Sequence, residues 1–139
     1  MTVTTTTKIK TAAEFYALVQ ASAHLRTADH GRIWTRGTLN VLGVNLSKSA
    51  KKALSNALPD DLKKFLGGVF WLAFFRDTNI TALEFQNRVA RRSGNTDAHF
   101  AKIPVTAVFG AIKQTVSPQV AKEVADSLSR ELRGLWDKA

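Results

Sequence analysis

Cysteine is absent from this chain of 139 residues, so the sequence offers no disulfide framework, no thiolate metal ligand and no cysteine nucleophile. Acidic residues are few, because 11 Asp and Glu stand against 20 Lys and Arg, and the formal net charge is +9. Long apolar runs are also missing. The longest uncharged apolar stretch lies between Lys64 and Arg76, well short of the roughly 20 residues that a membrane-spanning helix needs. These absences predict a soluble protein whose surface attracts polyanions.

Half of the first ten residues are Thr, and this stretch lacks the apolar core of a secretory signal. We therefore interpret residues 1–10 as a flexible Thr-rich tail, and together with the absence of cysteine this favours a cytoplasmic location. Hydrophobic residues make up 45% of the chain, which is enough apolar material for a core.

An internal duplication is the strongest feature of the sequence. Residues 11–66 align without a gap on residues 81–136 at an offset of 70, most clearly where Thr11 to Phe15 meet Thr81 to Phe85. Most of the other matches are apolar and helically spaced. A folding unit has therefore been copied, and no reactive group is copied with it.

Each copy has the pattern of four helices. Thr11 and Thr81 each begin a Thr-x-x-Glu capping box, and Ser47 and Ser117 are good N-caps for the third helix. Pro118 occupies the favoured first helical position. Turn-forming residues around 26–31 and 93–97 separate the first helix from the second, and alternating strand patterns are scarce.

The second helix of each copy contains residues that weaken a helix. Gly37 and Gly43 lower helix propensity, and Pro104 is acceptable only near a first turn or at a kink. We nevertheless predict an all-α protein of about eight helices. It consists of two tandem pseudo-symmetric four-helix units, residues 11–76 and 81–137, packed as one compact protein.

Two short motifs recur in the two copies. A Glu-Phe-x-x-x-Val opening begins at Glu14 and at Glu84, and a Leu-Pro-x-x-Leu element at Leu58 returns without its proline at Leu128. A third motif, Glu-Leu-Arg-Gly-Leu-Trp, occupies residues 131–136 near the end of the chain. With these motifs the sequence resembles, over essentially its whole length, the bacterial family catalogued as domain of unknown function 2267. The resemblance implies two tandem helical units and carries over no catalytic residue.

Histidine is the obvious acid–base candidate near neutral pH, but His24, His30 and His99 do not repeat between the copies. No nucleophile and base pattern accompanies them. Glu14 and Glu84 do repeat, and the capping box explains both. The sequence therefore provides no catalytic, cofactor-binding or metal-binding constellation, and we expect no enzymatic activity and no cofactor.

Basic clusters are the better candidate for a binding site. Two triads of basic residues have the i, i+3, i+4 spacing that places side chains on one helix face. These possible polyanion contacts are Lys48, Lys51 and Lys52 on the third helix, and Arg88, Arg91 and Arg92 on the fifth. A solvated surface is the alternative interpretation. Whether the two triads form one continuous patch is not decided by the sequence.

An apolar segment closes the first copy, and three interpretations of it stay open. Core packing between the repeats is favoured, followed by a homodimer interface and then a pocket for an apolar ligand. The residues concerned are Phe65, Phe70, Trp71, Phe74 and Phe75.

Scaffold is shared by both copies, whereas surface charge differs. We therefore expect a non-enzymatic cytoplasmic binding or adaptor protein, with a protein partner or a second copy of itself. The alternative is nonspecific nucleic-acid binding through the basic helix faces, which predicts binding that weakens steeply as salt is raised.

Overall fold

The structure is a computed structural model that describes residues 9–67, 76–95 and 97–139. Within these ranges the chain forms eight α-helices and no β-strand, so the predicted all-α class is confirmed. The helices are α1 (Ala12–Ala23), α2 (Ala28–Asn45), α3 (Lys48–Ala57), α4 (Asp60–Leu66), α5 (Ala82–Arg92), α6 (Ala98–Thr115), α7 (Pro118–Ser127) and α8 (Arg130–Lys138). None of the described helices is long and apolar enough to cross a bilayer.

The predicted capping box is complete in α1 and half formed in α5. Thr11 Oγ1 accepts a hydrogen bond from the Glu14 N–H at 3.2 Å, and the Glu14 carboxylate accepts one from the Thr11 N–H at 3.0 Å. Thr81 Oγ1 likewise accepts from the Glu84 N–H at 3.0 Å. The Glu84 carboxylate, however, pairs with Arg88 at 3.0 Å instead of returning to the cap.

The start of α5 has a second hydrogen bond that comes from another helix. Glu131 Oε1 on α8 accepts from the Ala82 N–H at 2.9 Å. A helix start leaves four backbone N–H groups without an intrahelical partner, so this contact satisfies one of them and ties α8 to α5.

The predicted turn around residues 26–31 is too long. Thr27 is the N-cap, its hydroxyl accepting from the His30 N–H at 3.1 Å, and α2 is already helical from Ala28. In the second half Asp97 takes the same role for α6, since its Oδ1 accepts from the His99 and Phe100 N–H groups.

The first helix of each half ends in a left-handed residue. His24 has φ 56° and Gly94 has φ 76°, and these two positions correspond at the offset of 70. Behind each of them a backbone N–H reaches five residues back, from Leu25 to Gln20 and from Asn95 to Ala90. This C-terminal turn favours glycine, which has no Cβ. Gly94 therefore suits the position better than His24, although both residues end a helix in the same way.

Two glycines of α2 mark points where helices touch backbone to backbone. A Cβ at Gly37 would lie 2.5 Å from Ser93 Oγ and 3.3 Å from the Val89 carbonyl oxygen of α5. A Cβ at Gly43 would overlap the carbonyl oxygen of Leu66 in α4. The glycines that lower helix propensity therefore allow α2 to approach both neighbours closely.

Helix starts in the two halves differ by 70 residues throughout, from Ala12 and Ala82 to Asp60 and Arg130. The packing also exchanges under this offset: α1 lies against α6 and α5 against α2, while α2 packs on α6 and α3 on α7. Superposition of the halves in space stays a prediction. The packing of α4 is mainly within its own half, against α1, α2 and α3.

Residues from both halves form one buried cluster. Phe15 and Phe85, which correspond at the offset, are both fully buried, and the Phe85 ring lies 5.8 Å from that of Phe109. Phe109 in turn lies 5.3 Å from Trp136 of α8. Each fully buried side chain of this size contributes about 1.5–3 kcal/mol relative to exposure. Trp34, 5% exposed, belongs to the same core.

Candidate anion-binding groove

The lysine triad lies on the outer face of α3. Ala50 and Leu54 are buried against the core, so the opposite side of this short amphipathic helix is turned to solvent. Lys48 and Lys52 are exposed and Lys51 is half-buried. The sequence prediction of one shared face is therefore consistent with the burial pattern of α3.

A groove of about 330 Å³ runs between α3 and α4, and the whole triad lines it. Lys63 of α4 lines it as well, so ammonium groups come from both helices. Ser55 and Asn56 add a hydroxyl and an amide to the same described wall. The position of Lys63 beside the triad depends on how α4 packs against α3.

Few carboxylates neutralise this groove. Lys63 Nζ pairs with Asp60 Oδ1 at 2.9 Å across one helical turn. Every Asp and Glu of the chain lies in the described ranges, and none forms an ion pair with Lys48, Lys51 or Lys52. The α3–α4 groove therefore has a local excess of positive charge.

The arginine triad on α5 has a different environment. Arg88 is paired with Glu84, and Arg91 is exposed. Burial, followed by the nearby charge of Arg36 on α2, lowers the pKa of the Arg92 guanidinium. The main packing partners of α5 are α2, α6 and α8, whereas those of α3 are α4 and α7. The groove that the lysine triad lines includes none of these arginines.

The second half has cations at two of the four positions that correspond to the groove lysines, and these two are bridged by an acid. Asp126 lies 2.9 Å from Lys122 Nζ on its own helix and 2.9 Å from Arg133 Nη1 on α8. The hydrogen bond from Lys122 is the largest cause of a lowered Asp126 pKa. Asp126 corresponds to Asn56 at the offset of 70. Lys48 and Lys51 also differ, since they correspond to Pro118 and Ala121, and the effect of each difference depends on how the two helices pack.

Histidines do not form a recognisable acid–base arrangement in the described part of the chain. All three are exposed. His99 lies in a depression of about 400 Å³ together with Glu84 and Asp97, but Glu84 is paired with Arg88 and Asp97 caps α6. The described residues also contain no group of three or more His, Asp and Glu side chains able to hold a metal ion.

The aromatic segment that closes the first half is described only at its beginning. Phe65 is half-buried and packs against the core cluster. Phe70, Trp71, Phe74 and Phe75 lie outside the described residues. For these four residues, the preference for core packing over an interface or a ligand pocket therefore stays a prediction.

Exposed apolar side chains occur mainly at the start of α6. Phe100 is 44% exposed and Ile103 is 53% exposed, and Leu83 on α5 is 49% exposed. Ile103 also lines a groove of about 440 Å³ between α1 and α6. These residues are the described surface best suited to a protein contact.

A comparison with known families shows the family of this chain. The model of the family described as "Uncharacterized conserved protein (DUF2267)" matches residues 12–135, which is nearly the whole chain. The chain therefore belongs to the DUF2267 family, as the repeated motifs predict. No curated protein matches it.

Proposed function

We propose that this protein is a non-enzymatic cytoplasmic binding protein that contacts the phosphate backbone of nucleic acid through the α3–α4 groove. The observation that carries the proposal is the set of lysines around this groove, of which Lys48, Lys51 and Lys52 have no carboxylate partner. Unpaired ammonium groups gathered in one concave surface attract anions more strongly than the same charges scattered over a surface.

The size of the groove suits a short run of phosphates. Lys48 and Lys52 are one helical turn apart, which is about 6 Å along the axis of α3. Phosphates of one DNA strand rise by about 3.4 Å each, so the row spans about two of them. Lys51 and the facing Lys63, which is already paired with Asp60, add about one more contact, so we expect about three phosphate contacts in total. Three contacts correspond to a slope of about −3 for log affinity against log salt.

Electrophoretic mobility shift with random-sequence duplex DNA, repeated over a salt series, tests this proposal. The wild-type protein should bind at about 50 mM salt and lose affinity with the slope of about −3. The double variant Lys51→Gln/Lys52→Gln should bind at least about tenfold more weakly and with a shallower slope. Lys102→Gln/Lys138→Gln, two exposed lysines outside the groove, is the matched control for net charge. Absence of a shift at low salt, or equal losses in both variants, would contradict the proposal.

A protein partner is the second candidate function, and the exposed Phe100 and Ile103 favour it. Such a partner could be another protein, as in an adaptor, or a second copy of this chain. Sedimentation velocity of the wild-type protein and of the variant Phe100→Ser/Ile103→Ser tests the second case. Self-association through this surface predicts a concentration-dependent increase in mass that the variant lacks, and a wild-type monomer at all concentrations would exclude a homodimer.

A further inference from the structure

One pair of cations occurs in both halves, but a carboxylate bridges the pair only in the second half. Lys122 and Arg133 correspond at the offset of 70 to Lys52 and Lys63. In the second half both contact the Asp126 carboxylate, which bridges α7 to α8. A carboxylate held between two cations cancels much of the field that they would present to an external anion.

Asn56 stands where Asp126 stands in the second half. It follows Lys52 by one helical turn on α3 and lines the groove together with Lys63. Its amide is neutral and forms no ion pair, so Lys52 has no carboxylate partner and Lys63 pairs with Asp60 on its own helix. Asn56 therefore leaves the ammonium groups on the two sides of the groove unbridged.

We infer that the neutral side chain at Asn56 keeps the α3–α4 groove open to a run of phosphates, and that the Asp126 carboxylate closes the corresponding cation pair of α7 and α8 to the same ligand. This inference rests on the proposed function and names the residue and the chemical group on which it depends.

Phosphate is the recognised group because the described lining is dominated by ammonium groups, which bind phosphate oxygens as point charges. It contains lysines, a serine, an asparagine, a leucine and a glycine, and no aromatic ring on which a base could stack. Nucleic acid and inorganic polyphosphate both present a linear run of phosphates. The two should therefore bind alike when compared per phosphate.

Asn56→Asp is the decisive variant, since it introduces into the first half the carboxylate that bridges the cations in the second. Binding is measured by fluorescence anisotropy with a labelled random-sequence duplex and by calorimetry with inorganic polyphosphate. Asn56→Asp should weaken both by about tenfold at about 50 mM salt, because its charge neutralises about one phosphate contact. Asn56→Ala should stay within about twofold of wild type, which separates the added charge from the lost amide.

Asn79→Asp is the matched control, because Asn79 is exposed in the turn before α5 and the change in net charge is identical. It should leave both affinities within about twofold of wild type. The reciprocal variant Asp126→Asn frees Lys122 and should strengthen binding by about threefold, with a salt slope steeper by about one. Thermal melts followed by circular dichroism confirm that the compared variants are folded.

Each outcome of this experiment bears on a separate statement. Equal affinities for Asn56→Asp and Asn79→Asp would overturn the role of Asn56 while leaving nucleic-acid binding in place. Binding of the duplex without binding of polyphosphate would overturn the phosphate assignment. Failure of the wild-type protein to bind either probe would overturn the proposed function and this inference together.

Discussion

The second and last helices of the two halves meet through different chemistry at corresponding positions. In the first half α2 presents Gly43, and the carbonyl oxygen of Leu66 in α4 lies directly against its backbone. In the second half the corresponding residue is Lys113, whose Nζ donates to the Trp136 carbonyl oxygen at 2.8 Å. Its ammonium also lies 5.8 Å from the centroid of the Trp136 ring. The same helix end therefore lies against a glycine backbone in one half and accepts a hydrogen bond from a long cationic side chain in the other.

This difference shows what duplication leaves free to change. Helix starts and many buried apolar positions, such as Phe15 and Phe85, are common to both halves. Residues at the contacts between neighbouring helices differ, as at Gly43 and Lys113 and at Asn56 and Asp126. A binding surface can therefore arise in one half while the other uses the same positions for an internal ion pair.

The largest effect is expected for Gly43→Ala. Its Cβ would overlap the Leu66 carbonyl oxygen, which belongs to backbone and cannot rotate away. We expect the free energy of unfolding to fall by about 3 kcal/mol, as for other overpacked sites. Urea denaturation measures it. Gly110→Ala in α6 is the control, since its Cβ would meet only Ala139 at 3.8 Å. That variant should gain up to about 1 kcal/mol from helix propensity.

A smaller effect is expected at the left-handed helix ends. Gly94→Ala should destabilise by about 1 kcal/mol, because its φ of 76° is unfavourable for a residue with a Cβ. His24→Gly should stabilise by about 0.5 kcal/mol, because strain relief exceeds the added freedom of the unfolded chain. Thermal unfolding of the two variants tests both signs. Destabilisation by His24→Gly would indicate that the imidazole forms a contact of its own.

A stability effect of similar or smaller size is expected at the start of α5, and the start of α1 serves as the reference. Glu131→Ala removes the carboxylate that accepts from the Ala82 N–H, and it should cost about 0.5–1 kcal/mol. Hydrogen exchange locates the loss. The amides of the first turn of α5 should exchange faster while those of α1 are unchanged, and an equal increase in both helices would contradict an α5-specific cap.

The smallest effect is a pH dependence at the α1 cap. Hydrogen bonds from the backbone N–H of Lys10 and from Thr11 lower the pKa of Glu14 in the folded protein. A lowered folded-state pKa contributes stability above the unfolded value of about 4.3, and this contribution is lost as pH falls through the folded value. Denaturant midpoints between neutral and acidic pH should therefore fall less steeply for Glu14→Gln than for wild type. Identical pH profiles would show that this carboxylate is not coupled to folding.

Local signals in the sequence account for most of the helix starts. Thr11, Ser47, Thr81 and Ser117 are read directly as caps because a cap depends only on the few residues that follow it. The start of α2 is less readable, since Asp29 to Gly31 resemble a turn and are nevertheless helical after the Thr27 cap.

Contacts between helices could not be predicted from single positions. Gly43 counts against a helix when it is considered alone, and only the position of α4 explains it. The lysine triad was visible in the sequence because it lies on one helix. Asn56 shares the triad's helix, one turn after Lys52, whereas Lys63 lines the same groove only because α4 packs beside α3.

The most direct test of the account is an NMR titration of the wild-type protein with inorganic polyphosphate at low salt. The account predicts that the largest amide shift changes occur between Lys48 and Asn56 on α3 and between Lys63 in α4 and Gly67 directly after it. The corresponding residues of α7 and α8 should change little. Changes concentrated on α5, or equal in the two halves, would contradict the assignment of phosphate binding to the α3–α4 groove.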